Sequence, residues 1–178
     1  MLKFVKARTQ APKFGAGERL DYSRAKINWG DLQALFEKSE GGSGGHSGLK
    51  LRLKSVQGEY ISALGRLRAE YGGIDNYIRA KLEAHRGQDL VITRNKYPYN
   101  LAPGIIHLVL WVNPLGPKVG QIGLPEIHQY LAGKIEGAQY ILFKNEKAHQ
   151  SVRSITHYQL FMKQSAYRKS KGLSIVKL

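Results

Sequence analysis

Two histidines stand alone in apolar runs of this chain, His107 within IIHLVLWV and His157 within ITHYQLFM. Arg94 and Asn95 lead into the tight aromatic turn Tyr97-Pro98-Tyr99, and the first apolar run closes on Trp111. Asn145 and Arg153 occur shortly before His157. Imidazole can accept or donate a proton, and guanidinium clamps a carboxylate or phosphate in a rigid fork. A buried polar group left without a partner costs about 1–3 kcal/mol. These side chains therefore form either a polar network that pins two hairpins together or the lining of a ligand pocket. An anion is the natural ligand of the second arrangement.

Other chemistries find less support in the spacing. Zinc sites pair their ligands closely, and His107, His128, His149 and His157 include no HxH or HExxH pair, with no cysteine beside them. No metal and no cofactor is expected. Ser151 and Ser154 lie near His149 and His157, but no GxSxG elbow presents a nucleophile. The segment NKYPYN before His107 is similar to the Asn-x-aromatic-Pro stretch of histidine-triad nucleotidyl proteins, without their alternating histidines. No catalytic residue is assigned, and the reading leans away from an enzyme.

The elements that must position these groups follow from periodicity and breakers. Ile27–Glu40 reads as a helix capped by Asn28, with Trp29, Leu32, Leu35 and Phe36 on one face and Asp31 in the first turn. The run GGSGGHSG, residues 41–48, is a linker by composition, which leaves His46 in solvent. Residues 49–85 read as two helices broken at Gly72-Gly73, with stripes Val56, Tyr60, Ala63, Leu64, Leu67 and Ile74, Tyr77, Ile78, Leu82. Strands are expected at 90–94 and 105–112, separated by a stretch whose two prolines forbid a regular central strand. A short helix from Pro125 to Ile135 and strands at 139–144 and 154–161 complete an α+β domain. The expected architecture is N-terminal helices packed on a small, mostly antiparallel sheet, with extended basic N- and C-terminal arms.

Charge is the strongest global feature. Lys and Arg number 28 against 13 Asp and Glu, a net +15. Residues 1–26 and residues 163–178 each carry +5, and so do the 136 residues between them. The division is a basic extended arm at 1–26, one domain at 27–162 and a basic tail at 163–178. Lys3, Lys6, Arg8, Lys13, Arg168, Lys169 and Lys171 are the candidate contacts to an acidic surface. Nucleic acid would satisfy the same charge through its phosphates. The absence of cysteine excludes disulfides and thiolate chemistry. No apolar run is long enough to span a bilayer, and the N-terminus has no secretory h-region.

Residues 28–162 resemble the DUF3605 family, which includes fungal N-acetylglucosamine-induced proteins and members from large DNA viruses. The resemblance rests on NWGDLQALF with Trp29, on LKSVQGEYISALGRLRAEYGGIDNYI, on RNKYPY at 94–99, on HLVLW at 107–111, and on FKN, Ser151-Val152 and His157. Two positions depart from the family pattern. Lys96 stands where an acid is usual, and His157-Tyr158-Gln159 replaces a common His-x-His. If the paired histidines hold a ligand or metal in other members, this chain has lost that capacity. The resemblance implies a fold and a place for a site, but no reaction.

Charge and resemblance together favour a non-enzymatic structural protein of a large assembly. A minor capsid or virion component of a large DNA virus, assembled in the host cytoplasm and held by neighbours such as a major capsid protein, is the first expectation. A cytoplasmic or organellar binder of an anionic small molecule around Arg94 and His107, and a nucleic-acid-binding or ribosomal protein, are the alternatives.

Overall fold

The structure, a computed structural model, describes residues 25–40, 50–135, 137–145, 147, 150–170 and 172–178. The first helix, α1 (Trp29–Glu40), begins where Asn28 and Asp31 cap each other. The Asp31 amide donates to Asn28 Oδ1 at 3.0 Å and the Asn28 amide to Asp31 Oδ2 at 2.9 Å. A reciprocal pair of this kind satisfies two donors that a helix start leaves over, and losing such a cap costs about 1 kcal/mol. Leu32 and Leu35 are buried beneath α1. The Phe36 side chain, the linker at 41–48 with His46, and His149 lie outside the described residues.

Helices α2 (Lys54–Tyr71) and α3 (Ile74–Leu82) meet at Gly72. Gly72 takes φ 73° and its amide closes the helix end on the Arg68 carbonyl at 3.1 Å, a conformation that disfavours any side chain. A single 3-10 turn, Glu83–His85, leads to the sheet. The strands are β1 (Leu90–Arg94), β2 (Ile105–Val112), β3 (Tyr140–Phe143), β4 (His157–Lys163) and β5 (Ile175–Val176). Helix α4 (Leu124–Lys134) lies between β2 and β3, and α5 (Gln164–Lys169) follows β4.

The five strands stand in the order β3-β4-β2-β1-β5, antiparallel except where β5 joins β1. The expected α+β class with a mainly antiparallel sheet is what the chain adopts. Alternation puts Leu90, Ile92, Leu108, Leu110, Leu160 and Met162 on one face, under Ile127, Leu131 and Ile135 of α4. Val91, Val109, Trp111, Ile141, Phe143 and Phe161 share the other face with α1 and α3.

Two expectations need correction. The last long strand begins at His157 and not at Ser154, because the amides of Arg153 and Ser154 donate to Asp75 Oδ1 at 3.0 and 2.6 Å and are not free for a ladder. The stretch after Lys163 is not an extended arm throughout. It forms α5, buries Leu173, and adds Ile175 and Val176 to the edge of β1. Its apolar residues repay burial more than solvent exposure.

Candidate functional site

Helix α2 stands off the sheet. Of its 18 residues only Ala63 is buried. It is tied down at its start, where the Asn100 amide donates to the Leu51 carbonyl at 2.8 Å and Arg52 Nε donates to the Tyr97 carbonyl at 2.8 Å. At its far end it turns into α3, which packs Ile78 and Leu82 against Val91, Val109 and Trp111. Between α2 and the sheet lies a cleft of about 990 Å³, at the upper end of the range for small-molecule sites.

The cleft's floor is the polar part of the sheet's second face. Register places Gln159 opposite Val109, which in turn lies opposite Thr93, and places His157 opposite Trp111. Thr93, His157 and Gln159 are all buried yet line the cleft. Behind them His107 is locked in a fixed tautomer. The Tyr99 amide donates to His107 Nδ1 at 3.2 Å, so the proton of the neutral ring sits on Nε2. That Nε2–H donates to Gln159 Oε1 at 2.6 Å. Asn95 Nδ2, 3.1 Å from the same ring nitrogen, reaches Gln159 Oε1 at 3.5 Å. The Gln159 amide group is thereby oriented, with its NH2 turned from the network.

Burial drives the His107 pKa down to about 3; the Gln159 bond opposes this and the Arg52 charge adds to it. The ring is therefore neutral at ordinary pH and acts as a fastener between the β1–β2 connection and β4. His157 is also held below its usual value, chiefly by burial, against the pull of its bond to the Ile155 carbonyl. That bond, from Nδ1 at 2.9 Å, leaves the Nε2 lone pair of the neutral ring without a protein partner among the described residues. Trp111 Nε1 donates to Thr93 Oγ1 at 3.0 Å.

The other residues singled out in the sequence divide between network and rim. Asn95 closes its turn by accepting the Tyr97 amide at 2.9 Å on Oδ1 and donating its own amide to the His107 carbonyl at 3.0 Å. Tyr99 is buried, with a side-chain hydrogen bond to Asn145, and burial raises its pKa. The Asn145 carbonyl accepts from the Gln150 side chain. Arg153 is exposed and reaches the Gln150 carbonyl at 3.4 Å, so it clamps no carboxylate among the described residues. Arg94 lies exposed on the cleft's rim and Pro98 is exposed on the turn. His128 pairs with the Tyr140 hydroxyl at 2.6 Å on an exposed surface, far from a ligand set. No group of three His, Cys, Asp or Glu suited to a metal occurs among the described residues. Of the basic contacts, Arg168 and Lys169 end α5, while Lys3, Lys6, Arg8, Lys13 and Lys171 lie outside the described residues.

Arg52 was not singled out by the sequence. Its guanidinium carbon lies 4.9 Å from the Tyr60 ring centroid and 5.3 Å from that of Tyr99. With Nε bound to the Tyr97 carbonyl, the group is fixed at three points and meets no carboxylate among the described residues. The same lining carries Lys50, Lys54, Arg66, Arg94 and Lys96, against the carboxylate of Glu70. A basic residue before a helix gives no local sign of this role. Only the packing of Tyr60 and Tyr99 around it does.

The class of protein follows from the whole chain. The sequence model of DUF3605, described as a protein of unknown function, matches residues 26–163, and the chain belongs to that family. It is similar to N-acetylglucosamine-induced protein 1 of Candida albicans, with 34% identity over 92 residues. That match covers 44% of this chain and 36% of the relative, so the chain spans little more than a third of that protein's length. The crystal structure of HTC1 shares the fold, with a TM-score of 0.51 and 18% identity, over 76% of this chain and 84% of that one.

Proposed function

We propose that the protein binds a small anionic molecule in the cleft between α2 and the sheet. The observation that carries this reading is Arg52, held rigidly by two rings and a carbonyl and directed to the cleft with no carboxylate partner among the described residues. A guanidinium fixed in this way loses little freedom when an anion arrives. Lys54, Arg66, Arg94 and Lys96 add long-range attraction for the same charge. Thermal denaturation against inorganic phosphate and a panel of organic phosphates and carboxylates tests it. A ligand at about 100 times its Kd should stabilise the fold by about 2.7 kcal/mol. Arg52→Gln should abolish that gain, measured against the variant's own unliganded melting point, which falls with the loss of the Tyr97 bond and the two ring contacts. No stabilisation from any anion at millimolar concentration would overturn the reading.

A second proposal concerns the charge at the ends. Arg168 and Lys169 are exposed at the close of α5, which supports attachment of this body to an acidic neighbour, a virion protein or nucleic acid among them. Because β5 belongs to the sheet, the test is Arg168→Glu with Lys169→Glu and not removal of residues 163–178. Retention of the partner by the double variant in low salt would count against attachment.

A further inference from the structure

The cleft's floor says more about the ligand than its rim does, and the inference drawn here rests on the anion-binding reading above. We infer that the bound anion is a phosphorylated sugar or polyol, its phosphate at Arg52 and its hydroxyl groups on Thr93, His157 and Gln159.

Three buried side chains have hydrogen-bonding capacity that no described residue uses. Gln159 accepts through Oε1 from His107 and Asn95, so its two amide hydrogens remain to donate. His157 donates through Nδ1 to Ile155, so Nε2 remains to accept. Thr93 accepts from Trp111 through Oγ1, so its hydroxyl hydrogen remains to donate. Each is at most 6% exposed, and each lines the cleft. Polar groups buried to that degree call for partners, at about 1–3 kcal/mol each.

The arrangement selects the partner. Gln159 and Thr93 are two strands apart, separated by Val109, hence roughly 10 Å, and His157 is two residues along β4 from Gln159, hence roughly 7 Å. The floor thus offers donors at two corners and an acceptor at the third. A hydroxyl both donates and accepts, so several hydroxyls on one small ring or chain can meet all three. A simple carboxylate presents acceptors alone and leaves His157 unserved. Inorganic phosphate, though it carries a P–OH donor, is too small to reach corners roughly 7–10 Å apart.

The aromatic residues argue against a nucleobase. Tyr60 and Tyr97 are tilted by 57° at 5.2 Å, so they do not form a parallel slot. Arg52 already covers Tyr60 and Lys96 lies 5.8 Å from the Tyr97 centroid. Trp111 is buried against His157 and bonded to Thr93. Stacking on a free ring face strengthens the binding of a base by about 1–3 kcal/mol, and the rings here do not offer a parallel slot for it.

Calorimetric titration of the wild type with inorganic phosphate, a hexose 6-phosphate, the unphosphorylated hexose and a nucleoside monophosphate tests the inference. The hexose phosphate should bind at least tenfold more tightly than inorganic phosphate and than the nucleotide. Thr93→Val should remove most of that advantage and leave the affinity for inorganic phosphate unchanged, whereas Arg52→Gln should weaken both. Equal affinity for phosphate and hexose phosphate, or preference for the nucleotide, overturns the sugar inference while anion binding stands. Failure of all four to bind overturns the sugar inference, and the anion reading falls with it when the carboxylates of the denaturation panel fail as well. The wild-type titrations decide the matter even if Thr93→Val does not fold.

Discussion

The two faces of the sheet are made by the same strands, one residue after the next, and they are built to different ends. One face is aliphatic, closed by Ile127, Leu131 and Ile135 of α4, with Leu108, Leu110, Leu160 and Met162 fully buried. The other carries Thr93, His107, His157 and Gln159 among its apolar residues, and α2 bridges over it without closing on it. A face sealed by packing contributes stability roughly in proportion to the apolar area it hides. A face with polar groups must instead satisfy them, and it gives up part of that stabilisation. The difference places the scaffold on one side of the molecule and the proposed binding surface on the other.

The contrast is easiest to break at Leu160. Leu160→Ala should cost about 2–5 kcal/mol in urea denaturation, because it opens a cavity in a closed core. Val109→Ala, on the cleft side, should fall near 1 kcal/mol, since the space it leaves joins an opening that exists already. Equal costs would show that the two faces are packed alike.

Next in size is His107→Ala. It leaves the Tyr99 amide without its partner and Gln159 Oε1 with only the long bond from Asn95, at about 1–3 kcal/mol for a buried group left unsatisfied. The same residue sets a pH dependence. Its folded pKa of about 3 lies below the unfolded value of about 6.5. Between these values the unfolded chain binds the proton and the folded one does not, so stability falls as pH drops from about 6.5 toward 3. The slope reaches about 1.4 kcal/mol per pH unit for one such group. His157, also shifted down, adds in the same direction. Asp75 is lowered too, since bonds from Ser154 and Arg153 outweigh its burial. Its contribution is present above the unfolded carboxylate value and lost as pH falls through the lower folded one. Urea midpoints between pH 7 and pH 5 should therefore report the histidines, and His107→Ala should flatten that slope.

The smallest effect is expected within the bridging helix. Gly65 lies in α2 with open space around the position of a Cβ. Gly65→Ala should stabilise the protein by about 0.5–1 kcal/mol, as in any helix interior. A loss of stability on this substitution would mean that α2 needs its backbone freedom to span the cleft.

Much of this was legible in the chain. Residues 90–94 and 105–112 are strands with the expected bounds, because β-branched and aromatic runs ended by prolines allow little else. The cap at Asn28 and the stop at Gly72 were readable for the same local reason. His107 and Asn95 could be singled out, since polar groups in an apolar run announce themselves. Gln159 is marked only as standing where the resemblance places a second histidine, and Thr93 and Arg52 are not marked at all. A glutamine or threonine in a strand is common, and an arginine before a helix is more so.

The sequence by itself determined most of the elements, the bounds of β1 and β2, the excess of positive charge and the presence of a polar knot near His107, because each is a matter of neighbours along the chain. The start of β4, and α5 and β5, it did not determine. Tertiary structure alone decided that β4 pairs with β2 in the register that sets Gln159 beside His107 and Val109. It also decided that Arg52 meets Tyr60 and Tyr99, and that α2 stands away from the sheet. These contacts join residues up to 52 positions apart, and their partners are chosen by the summed packing of two faces and not by any local preference.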